Sequence, residues 1–412
     1  MRVGHARMPL GVPAGSALGG YAARPGPATG TLDGLEAHAV TIHSGGRRLA
    51  WVVLDLPYVH GDLAAAVAAL LPGTGVWVSA THTHAGPETS RLPGAPLTPA
   101  AWLAAVPPVA ADAVRAAVAA EREARLSLHR QRLAGVGGQR SGRRPRRTVP
   151  IDVLRFDGPD GLAGVVAVLP VHPTVLPADN RLVSADLSGA VRRALSARLG
   201  PDAFAVVATG AAGDISTRPH RRAQTPGECD RLGALVAESV LRGLRRPPRA
   251  TASGGPLAVT RERLALPPKP PTATPDLVGR LARRLERVRA DGDAVATRTA
   301  WTALQAAELA LAEPARADPA CAVSVARLGG LSLVGLGAEP YLDLGGQLDR
   351  LVDHPTVLIG YTNGYLGYLP VRAAYKRADY EVLRSPVAAG SAESVIDRAA
   401  RLVAATTPTE AQ

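Results

Sequence analysis

The stretch Val76-Trp77-Val78-Ser79-Ala80-Thr81-His82-Thr83-His84-Ala85-Gly86-Pro87 constrains this chain more than any other. An apolar run of strand type meets a histidine-bearing polar end and is stopped by Gly-Pro. In extended chain, residues two apart share a face, so His82 and His84 are expected to point into the same space. The pattern recurs. The apolar run 164–171 ends at His172-Pro173 and the run 331–336 at Gly337-Ala338-Glu339-Pro340. The run 357–360 leads into Tyr361-Thr362-Asn363-Gly364-Tyr365-Leu366-Gly367-Tyr368. Each core-type strand therefore ends in a metal- or proton-competent side chain. Two imidazoles and a carboxylate are a common set for hydrolytic zinc. The competing reading is a set of unrelated polar strand ends, which any large α/β protein has.

The rest of the chain alternates strand and helix signals, giving an α/β fold class with a mixed β-sheet core, in layers, flanked by helices. Strands are expected at 37–43 and 49–56, joined by the hairpin signal Ser44-Gly45-Gly46, and at 126–136, 151–156, 203–208 and 321–327. Helices are expected at 62–71, at 100–125 with a break at Pro107-Pro108, from a cap at Ser184 to about 199, at 230–245 and at 392–406. Residues 276–312, after a Pro/Thr/Ala-rich connector, read as a helical hairpin inserted into one domain spanning 1–412 and stopped by Pro314. Asp55 lies within an apolar run and reads either as a buried polar group near the site or as a strand-end carboxylate. Asp186 reads either as a first-turn carboxylate suited to the helix dipole, with Ser184 as cap, or as a site residue.

Composition excludes several classes. The net charge of +12 is carried almost wholly by arginine, with only Lys269 and Lys376 as lysines, and aromatics make up 3% of the chain. Stacking platforms for single strands are scarce, so no nucleic-acid partner is expected. The basic run 140–147 reads as a loop. No run of about 20 apolar residues predicts a membrane span, and residues 1–30 lack the apolar segment of a signal peptide, so a cytoplasmic location is expected. Cys229 and Cys321 fit no metal spacing and are expected to be buried thiols.

Read together, the motifs resemble those of the neutral ceramidases and their shorter bacterial relatives. Gly19-Gly20-Tyr21 with Arg24, the block 79–87, Gln139-Arg140-Ser141, His172-Pro173-Thr174 with 180–186, Gly213-Asp214-Ile215-Ser216, Gly337-Ala338-Glu339 and 363–368 occur in that family's order, across about residues 15–385. The resemblance implies a ceramidase-like catalytic domain in which His82, His172, Glu339 and Tyr368 hold Zn2+. It implies His84 in proton transfer, Arg140 facing a substrate carbonyl or hydroxyl, and Ser216 orienting the substrate rather than attacking it. Asp186, in the second histidine block, joins these as a candidate catalytic carboxylate. The implied reaction is hydrolysis of a linear N-acyl amide bond of a small or lipid-like molecule by metal-activated water. A zinc esterase and a non-catalytic metal- or lipid-binding protein stay open.

The chain departs from the family at Ala85, where serine is usual, and at Thr217-Arg218-Pro219. The C-terminal immunoglobulin-like domain of longer members is not expected within residues 1–412. These differences surround the substrate rather than the proposed ligands, so the amide chemistry is expected to hold more firmly than ceramide as substrate. Oligomeric state is not legible.

Overall fold

The computed structural model describes residues 1–406 except 22, 92–94, 96–97, 141–144, 253 and 313–317. Pro314 and part of the arginine-rich run therefore lie outside the described residues. Three sheets organise the chain. The first contains β1 (Arg2–Pro9), β2 (Glu36–Ser44), β3 (Arg47–Leu54) and β4 (Gly75–Ala80), in the order β4-β3-β2-β1. The second contains β5 (Arg125–Ala134), β6 (Thr148–Gly158), β7 (Gly161–Leu169) and β8 (Phe204–Thr209), in the order β8-β7-β6-β5. The third runs β9 (Leu257–Ala265), β10 (Ala320–Leu328), β11 (Leu331–Leu336) and β12 (Thr356–Ile359) in that order.

Each sheet repeats one device. Its other pairs are antiparallel, but β3 and β4, β7 and β8, and β11 and β12 are parallel. Parallel neighbours present their carboxyl ends at the same edge, where open α/β sheets place ligands. Hydrogen bonds tie the three edges together. Thr209 Oγ1 donates to the Thr81 carbonyl at 2.8 Å, Gly360 N to the Thr209 carbonyl at 2.9 Å, and Ala80 N to the Tyr361 carbonyl at 3.0 Å. The segments carrying His82, His172 and Glu339 are brought to one place by this convergence.

Strands buried on both faces lose their polar alternation, as in Leu49-Ala50-Trp51-Val52-Val53-Leu54. Leu49, Trp51 and Val53 face a core shared with Val166, Val206, Leu333 and Ile359 of the other two sheets. Ala50, Val52 and Leu54 face the helices. Burial of Trp51 and Trp77 in the shared core contributes on the order of 4 kcal/mol each.

The helices cover the outer faces. They are α1 (Gly61–Ala69), α2 (Ala100–Ala119), α3 (Asp186–Leu199), α4 (Pro226–Leu244), α5 (Pro275–Ala290), α6 (Ala294–Ala312), α7 (Leu342–Leu351), α8 (Tyr380–Arg384) and α9 (Ser391–Ala405). α2 lies on the first sheet, α3 and α4 on the second, and α7 and α9 on the third. α5 and α6 form the expected hairpin.

α2 corrects one expectation. It passes through Pro107 and Pro108 without a break and ends at Ala119. The prolines lie off its buried Trp102, Val106 and Ala110 face, with Pro107 half-buried and Pro108 exposed. α2 is also the one helix among the described residues long and apolar enough to cross a bilayer. In this fold its apolar face packs on β1 and β2. Cys229 and Cys321 are free and buried.

Candidate functional site

The fourth strand ends at Ala80, and His82 takes a left-handed conformation (φ 61°). His82 and His84 therefore do not lie side by side on a strand face, as the extended reading expected. Their rings meet edge-on at 4.8 Å, with Nε2 atoms 3.2 Å apart. The His172 ring stands 4.9 Å from that of His82. The ring nitrogens of His82, His84 and His172 lie within 4.8 Å of one another, close enough to share one ion. Glu339 completes the group, its Oε2 lying 3.1 Å from His172 Nε2 and 3.5 Å from His82 Nε2. All four side chains are buried.

The proton positions follow from the partners. His82 Nδ1 donates to the Pro57 carbonyl at 2.8 Å, and His172 Nδ1 to the Ala212 carbonyl at 2.6 Å. Each Nε2 then carries a lone pair. Those lone pairs face the Glu339 carboxylate, which is another acceptor. Burial lowers all three imidazoles below their usual range, His84 furthest and His172 to about 4, so they are neutral. Burial works to raise the Glu339 carboxyl, while the Tyr365 hydroxyl, which donates to it, favours the carboxylate. An anionic oxygen and neutral nitrogen lone pairs thus converge in a dry space. No proton is placed to satisfy them all, whereas a cation is. The backbone carbonyls behind His82 and His172 are the outer partners that orient metal-binding imidazoles.

Sequence reasoning missed how Glu339 is held. The Tyr361 hydroxyl donates to its Oε2 at 3.3 Å, and the Tyr365 hydroxyl donates to its Oε1. Burial keeps both phenols protonated, hence donors. Tyr361 (φ 54°) and Asn363 (φ 58°) are also left-handed. With His82, these are non-glycine positions that each cost about 1 kcal/mol or more, and such strain collects at functional sites. Asn363 anchors the loop, accepting from Val78 N at 2.9 Å and donating to Ser324 Oγ at 2.9 Å. The one signal in the sequence was the cluster of tyrosines in a chain poor in aromatics.

The other expected residues are placed as follows. The Tyr368 hydroxyl accepts from Arg140 at 3.2 Å, and its ring stacks toward His172 at 6.2 Å. Arg140 is pinned by an ion pair with Glu381 and donates to the Gly213 carbonyl at 2.8 Å. His84, Arg140 and Tyr368 line one cavity of about 710 Å³. The Ser216 hydroxyl is buried with no hydrogen-bond partner among the described residues. Its strand neighbour Ile215 accepts from His172 N at 3.1 Å. Asp186 does not reach the imidazoles. Its carboxylate accepts from Val175 N at 3.0 Å, Leu176 N at 2.9 Å and Leu187 N at 2.6 Å, so it holds the chain that follows His172. Ser184 Oγ accepts from Asp186 N at 2.9 Å, one position earlier than a regular cap.

The Gly20-Tyr21 segment forms the seat of His84. Tyr21 meets the His84 ring edge-on at 4.8 Å, and Arg24 donates to the His84 carbonyl. Gly20 has φ 86°, and a Cβ there would lie 2.5 Å from His84 Cγ. Gly20→Ala is therefore expected to displace the imidazole. The shift is expected as a changed His84 ring resonance in an NMR comparison with the wild type, and an unchanged resonance would contradict it.

The neutral histidines also set a pH dependence. His172 titrates at about 4 when folded against 6.5 when exposed. The unfolded chain takes up the proton first, so this stabilisation is present above pH 6.5 and is lost as the pH falls to about 4. The loss is on the order of 3 kcal/mol. Urea midpoints of metal-free protein should drop across that window, and less steeply in His172→Gln. Equal slopes would contradict the burial of a neutral imidazole.

No protein-family model and no curated protein matches the sequence. Solved structures do match. The chain is similar to a neutral ceramidase from Pseudomonas aeruginosa, with a TM-score of 0.76 at 19% identity, covering 100% of this chain and 76% of that one. A ceramidase complexed with C2 matches with a TM-score of 0.76 at 18% identity and the same coverage. The chain thus has the fold of neutral ceramidases.

Proposed function

We propose that this chain, built on the neutral ceramidase fold, is a zinc-dependent hydrolase that cleaves a linear N-acyl amide bond. The convergence of the His82 and His172 Nε2 lone pairs on the Glu339 carboxylate carries the reading. Nitrogen and oxygen donors with no thiolate suit zinc. His82, His172 and Glu339 would hold the ion, with Tyr368 as the fourth ligand. Bound zinc would supply Lewis acidity toward a carbonyl and a lowered pKa for water.

The protein's groups divide the remaining work. His84 is neutral at pH 7 because burial and the neighbouring imidazoles hold its pKa well down. It can accept a proton from the attacking water and return it to the departing amine nitrogen. Arg140 is fixed by Glu381 and so is preorganised to stabilise negative charge growing on the carbonyl oxygen. The Ser216 hydroxyl has no base beside it, which supports orientation of the substrate over nucleophilic attack. Asp186 is a positioning residue for the His172 loop.

A matched amide and ester of one acyl chain, offered to zinc-loaded protein, test the reaction. Turnover of the amide, lost on chelation and restored by zinc, is expected. Cleavage of the ester alone would assign an esterase, and cleavage of neither would remove the enzyme reading.

A further inference from the structure

The cavity that ends on His84 and Tyr368 has an arginine-rich wall. Arg218 and Arg221 reach it from the loop after Ser216, and Arg298 faces them from α6. Elsewhere in this fold arginines are commonly neutralised, as in Arg192 with Asp55, Arg231 with Glu228 and Arg398 with Glu262. The wall differs. Arg218 has no hydrogen bond or ion pair with any described residue, and burial with crowding by Arg140 and Arg298 pushes its guanidinium down to about 10. Arg298 stacks on Trp301 at 4.5 Å and meets no carboxylate among the described residues. Arg221 donates to the Thr174 carbonyl at 2.6 Å and is likewise lowered by burial. Arg140, deeper in, is already matched by Glu381. Like charges gathered on a partly buried wall repel one another, and an anion relieves that cost.

We infer that the substrate carries a carboxylate or phosphate, which seats between Arg218, Arg221 and Arg298 while the acyl amide reaches His84. The inference rests on the proposed hydrolase reading only for the bond that is cut. It accounts for an open cationic wall where an uncharged amide would leave three guanidinium groups without an ion pair among the described residues. It also gives the α5–α6 hairpin a task, since α6 supplies Arg298 and Trp301.

Calorimetric titration of the zinc-free 412-residue protein tests it without turnover. The probes are N-acetylglycine and N-acetylethanolamine phosphate, against the neutral N-acetylglycinamide. Hydrogen bonds to charged groups predict that at least one anion binds about tenfold or more tightly than the neutral probe. The stronger of the two tells carboxylate from phosphate. The preference should shrink toward one in Arg218→Gln and Arg298→Gln, and persist in part in Arg218→Lys, which keeps the charge without the fork. Equal binding of charged and neutral probes, or a preference untouched by both glutamine variants, would overturn the inference. Amide turnover by zinc-loaded protein is scored separately. An inert protein that keeps the preference defeats the hydrolase reading alone, and an active one indifferent to charge defeats the anion site alone.

Discussion

Glu339→Gln is expected to abolish amide hydrolysis, lowering kcat/KM by at least about 1,000-fold. The substitution keeps the shape of the side chain, and its one oxygen can still accept from either the Tyr361 or the Tyr365 hydroxyl. It removes the one negative charge that faces His82 and His172. Without that charge the pocket offers a cation only neutral donors, and metal catalysis is worth several kcal/mol of charge stabilisation, each 1.4 kcal/mol being a factor of ten. The same change should not destabilise the metal-free protein. A buried carboxylate with no cationic partner is costly, and a neutral amide relieves the cost. Urea midpoints and zinc content of the two proteins check both halves. A Glu339→Gln protein that hydrolyses amide normally would show that this carboxylate does not serve a metal.

Arg192→Met is expected to cost about 3–5 kcal/mol of folding stability. Arg192, on α3, makes a two-pronged pair with Asp55 at 2.8 and 2.5 Å, and both residues are buried. Asp55 also accepts from Glu36 N at 3.0 Å. It lies two residues before Pro57, whose carbonyl holds the His82 ring. Removing the guanidinium strands a buried carboxylate two residues from the carbonyl that holds His82. Denaturant titration should show the loss, and the double change Asp55→Asn with Arg192→Met should recover part of it, because the stranded charge is gone. A loss below 1 kcal/mol in the single variant would mean that the pair is incidental.

The sequence made the site legible where residue type and strand punctuation coincide. His82, His172 and Glu339 could be picked out because imidazole or carboxylate follows an apolar run and precedes a Gly or Pro break. Their convergence could not be read, because it depends on three parallel strand pairs in three sheets, linked by hydrogen bonds such as Thr209 to Thr81. The left-handed backbone at His82 was hidden for a similar reason, since local alternation predicts an extended chain and tertiary contacts override it. Asp55 and Asp186 were ambiguous as isolated carboxylates. Only their partners, the Arg192 guanidinium in one case and the Val175 and Leu176 amides in the other, decide what they do. The helix through Pro107 and Pro108 was misjudged because the packing of Trp102, Val106 and Ala110 on the first sheet outweighs the local penalty of two prolines that lie off that face. Tyr361 carried no motif, and Tyr365 lay in the 363–368 block without a sign that it would hold Glu339.

The central claim is that His82, His172 and Glu339 form one metal site. The most direct test is the metal content of the purified protein beside His82→Ala and His172→Ala, by elemental analysis after zinc loading and desalting. About one zinc per chain in the wild type, lost in both variants, is the expected result for a mononuclear site. A wild type that retains no metal, or retention that neither substitution alters, would contradict the account.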